Sequence, residues 1–378
     1  MWVTWRAAMQ DALYGSRGFY ARGECAAAHF RTSVHASPRY AAAMLALLRE
    51  IDASLGHPAR LDLVDIGAGR GELLTQVLAM ARHIPARLPS SGQPPAALLA
   101  AANPSFAERI SAHAVEITPR PEGLDPRIRW HRSVPSRVTG LVIANEWLDN
   151  IPLDVAELAS AGPRLVLVDT ATGAERPGPL ADEADQAWLR RWWPLRRIGD
   201  HAEIGRPRCA AWADVIGRLA RGVAIGADYG HLRAGRPTLS TLAGYQDGHL
   251  VRPIPDGSRD ITAHVAVDAC AAAGVSAGAT QTLLTTQRQA LRALGLCGSR
   301  PPLTLASTDP PGYLTALCRA SEEAELTDPG GLGAFSWLLQ AVGVPLPASL
   351  GCQPGEPAGS RARAGSRAGS RAGSRADG

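Results

Sequence analysis

Three groups of residues have types and spacings that could do chemistry. They are Gly67, Gly69 and Gly71 behind Asp65, a single acid at Glu116, and the polar run Asn145-Glu146-Trp147-Leu148-Asp149-Asn150. The first group lies in residues 61–72, LDLVDIGAGRGE, where an apolar run feeds straight into a glycine turn. Glycine allows the backbone angles such a turn needs and lets a ligand approach the main chain. A helix expected from Glu72 would aim its unpaired N–H groups at that ligand. A dinucleotide fingerprint, G-x-G-x-x-G, would need its third glycine where Glu72 stands, and that carboxylate would repel a pyrophosphate. The observed G-x-G-x-G, with Asp65 two residues ahead, suits a cationic nucleoside without phosphates. S-adenosylmethionine is such a ligand, and Asp65 can attract its ammonium. A plain strand turn would use the same residues.

Glu116 closes a second strand expected over residues 112–117, where an acid can accept hydrogen bonds from both ribose hydroxyls. It lies 45 residues beyond Gly71, against a usual gap of about 20. Residues 85–105, rich in Pro, Ala and Ser, read as the insertion that accounts for the excess. A third strand is expected over 127–131 and a fourth over 140–144, followed at once by Asn145. Open α/β sheets bind ligands at the carboxyl ends of their strands, which puts this polar run where chemistry occurs. Glu146 and Asp149, three apart, would share one face of a helical turn. Capping, with Asn145 as the cap and the acids favoured by the helix dipole, is the alternative.

The surrounding elements must position these groups. Residues 1–60 read as a helical arm around a long aromatic and glycine-rich loop. That loop could be a lid carrying Phe30, Arg31, Thr32 and Ser33, or an irregular packed arm. Beyond the polar run, 153–158 and 164–170 read as a hairpin with a Gly-Pro turn, inserted into the sheet order. Residues 171–206 hold Trp188, Trp192 and Trp193, a partner surface or the core of a small helix. A helix over 209–220 leads to a fifth strand over 222–227, ending in Asp228-Tyr229-Gly230. Strands are expected at 238–241 and 244–250. Asp260-Ile261-Thr262-Ala263-His264-Val265 reads as a capped helix start, with His264 structural. Residues 283–295 and 312–326 read as helices. Gly274-Val275-Ser276-Ala277-Gly278 spells G-x-S-x-G, but a nucleophile elbow needs a strand before it, and an alanine-rich helix is expected there.

Composition excludes several function classes. All 39 basic residues are arginine, so a Schiff-base lysine, a lysine-bound pyridoxal cofactor and a P-loop lysine are impossible. The net charge of +4 equals that of the last twenty residues, GSRARAGSRAGSRAGSRADG, leaving a near-neutral body, so charge alone implies no basic face for nucleic acid. That tail, by its Gly, Ser and Arg content, is expected to be disordered. Cys25, Cys209, Cys270, Cys297, Cys318 and Cys352 form no C-x-x-C pair, and no zinc site is expected. No run reaches the ~18 apolar residues of a membrane span, and the N-terminus lacks a signal core. A reduced, cytoplasmic protein is expected.

Taken in order, DIGAGRGEL, VEITP, WH, ANEWLDNIP, the strand ending in DYG, and DITAHV resemble the MidA-like methyltransferases over residues 14–300. That family includes the mitochondrial complex I assembly factor with arginine methyltransferase activity. Its glycine motif is usually E-x-G-P-G-x-G, so Asp65 and Ala68 depart from it, and Thr118 replaces a usual Ser. Where the family has a pattern like NEFFDALP, Asn145, Glu146, Asp149 and Pro152 match while Trp147, Leu148 and Asn150 differ. The resemblance implies an α/β, Rossmann-like class I methyltransferase sheet over residues 61–350, with insertion near 151–206. It implies S-adenosylmethionine held by Asp65, Gly67, Gly69, Gly71 and Glu116, and a protein substrate, with arginine as the acceptor. Asn145, Glu146 and Asp149 become the catalytic candidates, the two acids gripping a guanidinium. An assembly or chaperone-like binding protein that keeps the fold is the alternative. A nicotinamide oxidoreductase is disfavoured by Glu72.

Overall fold

The computed structural model describes residues 1–22, 32–83 and 104–351. Phe30, Arg31, most of the 85–105 segment and the arginine-rich tail therefore lie outside the described residues.

The chain opens with a short strand, β1 (Trp2–Thr4), and a helix, α1 (Trp5–Tyr14), whose N-cap Thr4 accepts a hydrogen bond from the Ala7 N–H. After α2 (Ser33–Ala36), Ser37 caps α3 (Pro38–Ser54). Pro38 takes the first helical position, where its missing N–H would have had no partner. Next come β2 (Leu61–Ile66), α4 (Glu72–Ala81), β3 (Ile110–Val115), β4 (Ile128–His131) and β5 (Val138–Asn145). An inserted region holds β6 (Asp154–Ala159), β7 (Gly162–Asp169), β8 (Glu175–Leu180), α5 (Glu183–Trp192) and β9 (His201–Ile204). Then α6 (Arg206–Arg218) leads into β10 (Leu219–Asp228). Short strands follow: β11 (Gly230–His231), β12 (Ala243–Gln246), β13 (His249–Val251), β14 (Asp260–Thr262) and β15 (Val265–Ala266). The rest is α7 (Val267–Ser276), β16 (Gln281–Thr286), α8 (Gln287–Ala293), α9 (Pro310–Leu326) and β17 (Ser336–Val342).

The central sheet runs β16-β17-β10-β5-β2-β3-β4. Strands β10, β5, β2, β3 and β4 are parallel, and β17 is antiparallel to both its neighbours. All six residues of β2 are buried, the pattern of a strand covered on both faces. Helices α3, α4 and α8 pack on one face, and α6 and α7 on the other. From β2 the chain moves outward through β3 and β4, then returns to place β5 on the other side of β2. That reversal opens a crevice at the carboxyl ends of β2 and β5.

The Rossmann-like sheet is as expected, but its surroundings differ in several places. The 153–170 hairpin forms, yet it leaves the central sheet and joins a separate one, β1-β7-β6-β9, with β8 on β7. Its turn is Ser160-Ala161, and Gly162 and Pro163 belong to β7. Helix α1 buries Trp5, Met9 and Leu13 against Val155 and Val166 of this second sheet, whereas α3 belongs to the main core. The first 60 residues are thus divided between two cores. Trp188 and Trp193 are buried in a small core with Leu189 and Ile204, the packing role. Residues 238–241 form no strand. Residues 260–266 form two strands rather than a capped helix start, because Asp260 is fully buried and bonded to distant residues. The 283–295 segment splits into β16 and α8, and β17 is a strand the sequence reading did not assign. Ser276 of the G-x-S-x-G stretch ends a helix, so no elbow exists there.

Candidate active site

Beyond β2 the chain turns through Gly67, Gly69 and Gly71 with φ of +71°, +57° and +85°. Such left-handed angles cost an L side chain roughly 1–2 kcal/mol per residue. The Gly67 and Ala68 N–H groups both donate to the Val115 carbonyl, at 3.0 and 3.4 Å, which ties the turn to β3. A Cβ on Gly71, the N-cap of α4, would lie 2.9 Å from the Leu124 side chain. One on Gly67 would lie 3.5 Å from Trp147, so the polar run after β5 folds directly over the glycine turn.

Glu116 follows β3 and faces this turn. Its Oε2 accepts from the Gly69 N–H at 3.1 Å, and its Oε1 from the Ile117 and Thr118 N–H groups at 2.7 and 3.2 Å. A carboxylate can accept about four such bonds, so Oε2 keeps capacity for a ligand hydroxyl. Asp65 is 5% exposed. Burial pushes its carboxyl well above the usual range, and the nearby charges of Glu72 and Glu116 push it further. For Glu72 burial acts the same way, but hydrogen bonds from His35 and the Arg70 N–H outweigh it and hold the group below its ordinary value.

On the other side of the crevice, Asn145 ends β5. The Tyr40 hydroxyl donates to Asn145 Oδ1 at 2.7 Å, and Asn145 Nδ2 donates to Glu146 Oε1 at 2.9 Å. The Ser33 N–H donates to the same Glu146 oxygen at 3.0 Å. Glu146 Oε2 is buried and has no hydrogen-bond partner. Glu146 has a φ of +52°, so the run after β5 is a turn and not helical. Glu146 and Asp149 consequently do not share a helical face as expected, nor does Asn145 cap a helix. Asp228, at the end of β10, fixes the turn: its Oδ2 accepts from the N–H groups of Trp147, Leu148 and Asp149 at 3.2, 2.8 and 3.2 Å. Asp149 is 2% exposed and stands behind the cavity wall, while Asn150 reaches the cavity. Asn150 Nδ2 donates to Asp260 Oδ1 at 2.8 Å, and the Tyr20 hydroxyl lies 3.2 Å from that oxygen and from Asn150 Oδ1. The Tyr14 hydroxyl donates to the Asn150 carbonyl at 3.1 Å.

Together these groups enclose a cavity of about 610 Å³, lined among others by Asp65, the glycine turn, Glu116, Asn145, Glu146, Tyr14 and Tyr20. That volume suits a small-molecule ligand. The sequence points to no role at the site for Tyr14, Tyr20, His35 or Arg208, and it offers Asp260 only as a helix cap and Asp228 only as the end of a strand. DYG, at the end of a buried strand, was the available signal for Asp228.

A family model described as "Putative S-adenosyl-L-methionine-dependent methyltransferase" matches residues 43–285, which include the glycine turn, Glu116 and the run from Asn145 to Asn150. The chain belongs to this family. A crystal structure from Burkholderia thailandensis, bound to S-adenosyl-homocysteine, aligns with a TM-score of 0.71 at 23% identity, covering 92% of this chain and 90% of that one. A ligand-free structure from the same organism aligns with a TM-score of 0.70 at the same identity and coverage. At this identity the likeness establishes the fold. No curated protein matches the chain. The protein is therefore a methyltransferase that uses S-adenosylmethionine.

The residues present fit that cofactor. The turn carries no side chain that would hold a nucleoside away, and Glu116 Oε2 has an acceptor site to spare. Asp65, Glu72 and Glu116 line the cavity beside Arg70 and Arg132, and Asp65 in its ionised form would attract the cofactor's ammonium. Among the described residues no cluster of three His, Cys, Asp or Glu side chains could hold a metal ion. None of their helices is long and apolar enough to cross a membrane. Because Asp65 is held protonated well above its usual range and a neighbouring ammonium favours the carboxylate, binding should release a proton. Cofactor affinity is expected to rise with pH, and Asp65→Asn to weaken binding and remove that dependence. Calorimetry in two buffers of different ionisation enthalpy checks this; a slope retained in Asp65→Asn would assign the proton to another group.

Proposed function

We propose that this methyltransferase is MidA-like and transfers its methyl group to an arginine side chain of a protein in the cytoplasm. The observation that carries the reading is Glu146, which lines the cavity beside the glycine turn and holds a buried carboxylate oxygen, Oε2, with no partner. A guanidinium is planar, permanently charged and rich in donors, which makes it a natural partner for such an oxygen. Asn145 and the Ser33 N–H occupy Glu146 Oε1 and so fix the plane in which Oε2 is offered.

Bound S-adenosylmethionine supplies an electrophilic methyl group already activated by its sulfonium. The protein's own contribution is alignment, an effect of proximity. Glu146 holds one side of the guanidinium and concentrates its positive charge there, which leaves a nitrogen on the far side more nucleophilic. Asp149 acts from behind the wall through its charge, keeping the neighbourhood negative. Tyr14 and Tyr20, stacked with centroids 5.6 Å apart, wall the pocket and exclude water. Among the departures from the family pattern, Leu148 is buried, Trp147 covers the glycine turn, and Asn150 reaches the cavity. Trp147 and Asn150 both line the cavity and are therefore the changes that bear on which substrate is accepted.

Incubation with methyl-labelled cofactor and cell lysate, followed by hydrolysis of the labelled band, tests the reading. Methylated arginine is the expected product. Label in another residue type would overturn the acceptor, and no labelled protein would favour a binding role.

A further inference from the structure

Cys209 and Cys270, 61 residues apart in sequence, meet where α6 packs against α7. Cys270 is buried in the apolar cluster against which Cys209 packs. Cys209 is half-buried and lines a second cavity of about 510 Å³, with Asp154, Asp185, Arg206 and Ile204 around it. Trp188 packs beside the pair, and its buried indole N–H has no hydrogen-bond partner.

We propose that Cys209 and Cys270 form an oxidation site, in which a hydroperoxide entering this second cavity converts the pair to a disulfide. The thiolate is the reactive form. The neighbouring Cys270 thiol, opposed by burial, lowers the Cys209 thiol below its usual value. The neighbouring Cys209 and burial both raise the Cys270 thiol well above its ordinary value. In the first step Cys209 sulfur attacks the peroxide: the S–O bond forms, the O–O bond breaks, and the alkoxide or hydroxide leaves with a proton. The product is a sulfenic acid, whose oxygen can accept the vacant Trp188 N–H. In the second step Cys270 sulfur attacks Cys209 sulfur: the S–S bond forms, the S–O bond breaks, and water leaves with the Cys270 proton. Two thiols thus supply the two electrons that reduce one hydroperoxide.

The site is joined to the cofactor cavity by α6 itself. Arg208, next to Cys209, bonds the carbonyls of Asp149 and Ile151 behind the catalytic turn. Ala211, Asp214 and Val215, further along the helix, line the cofactor cavity. Pulling α6 onto α7 by a covalent bond shifts that wall.

The test is to treat the full-length reduced protein with limiting hydrogen peroxide, quench with a thiol alkylator, and map peptides by mass. Expected are linked Cys209 and Cys270 peptides, two hydrogens lighter than the reduced pair, together with weaker binding of S-adenosylmethionine that a dithiol reductant restores. Cys270→Ser should instead accumulate a dimedone-reactive Cys209, and Cys209→Ser should give neither product. Oxidation confined to the exposed Cys297 and Cys318, with the pair still reduced in the unmutated protein, overturns the site. A disulfide that leaves cofactor affinity unchanged overturns its coupling to the cavity.

Discussion

Replacing Glu146 by Gln is expected to abolish methyl transfer, leave S-adenosylmethionine affinity intact, and make the cofactor-free protein more stable at pH 8. The loss of transfer follows from charge. Gln keeps the shape and still accepts from the Ser33 N–H, but it offers a guanidinium an amide in place of an anion. Removing one preorganised charge partner of this kind costs about 10²–10³ in rate. The gain in stability follows from the same burial. Desolvation raises the Glu146 carboxyl to about 8, Asp149 pushes it up as well, and the Ser33 and Asn145 donors only partly offset this.

The sign is that of an acid whose folded pKa lies above its unfolded one. Below the ordinary glutamate range both states are protonated and the full stability is present. As pH rises to about 8, the unfolded chain loses its proton while the folded protein retains it, and stability is lost. Asp260, raised to about 8 by burial and by Asp149, and Asp149, raised to about 6 chiefly by burial, add to this trend. Glu146→Gln removes one contributor, a gain of order 1–3 kcal/mol at pH 8. In the unmodified enzyme the anionic form must bind the acceptor, so kcat/KM should rise with pH toward about 8. Thermal melts of the two proteins at pH 5 and pH 8, beside a pH–rate profile, provide the measurement. Unchanged turnover would remove Glu146 from the mechanism. A melting point at pH 8 below that of the unmodified protein would remove the account of the strain.

The elements that bind the cofactor were legible in the sequence because their signals are local. Residues 61–72 carry a buried strand, a glycine turn and a helix start in one continuous stretch, and the structure places them there. Glu116 and Asn145 follow their strands directly, so finding the strand found the residue. What failed depends on partners far along the chain. Asp260 looks like a cap because Thr262 and an apolar run follow, yet it is held by Tyr20 and Asn150, 240 and 110 residues away. Residues 283–286 read as the start of a helix running to 295, but they belong with 281 and 282 to β16. They form an edge strand, whose outward faces need no apolar pattern. Spacing by three suggested that Glu146 and Asp149 act together on a helix, but Asp228 gathers the three N–H groups between them into a turn. Nothing within that run announces an anchor 80 residues on.

Arg208→Met is expected to cost the protein more stability than any other single charge removal near the site. Arg208 is 1% exposed, and its guanidinium donates to four carbonyls: those of Asp149 and Ile151 in the catalytic turn, and those of Ala263 and His264 between β14 and β15. These two segments have no covalent link nearer than about a hundred residues of chain, and Arg208 joins them alongside the direct bonds from the Ala263 N–H to the Asp149 carbonyl and from Asn150 to Asp260. It also faces the carboxylates of Asp149, Asp228 and Glu203, whose attraction opposes the burial that would lower its own pKa. Methionine keeps much of the volume, so the loss reports the charge and the hydrogen bonds rather than a cavity. Stranding buried carboxylates and carbonyls in this way costs about 3–5 kcal/mol. Arg206, two residues earlier on the same helix, supplies the control. Its side chain is 44% exposed and pairs with Asp185 at the surface, so Arg206→Met should change stability by no more than about 1 kcal/mol. Urea titration of the three proteins separates the cases, with cofactor affinity as a second readout. Loss of Arg208 should weaken binding, because the turn that carries Glu146 and Trp147 then loses the anchor of its Asp149 and Ile151 carbonyls. Equal midpoints for the two variants would mean that the carbonyl cluster is satisfied by water, and that the site is rigid for another reason.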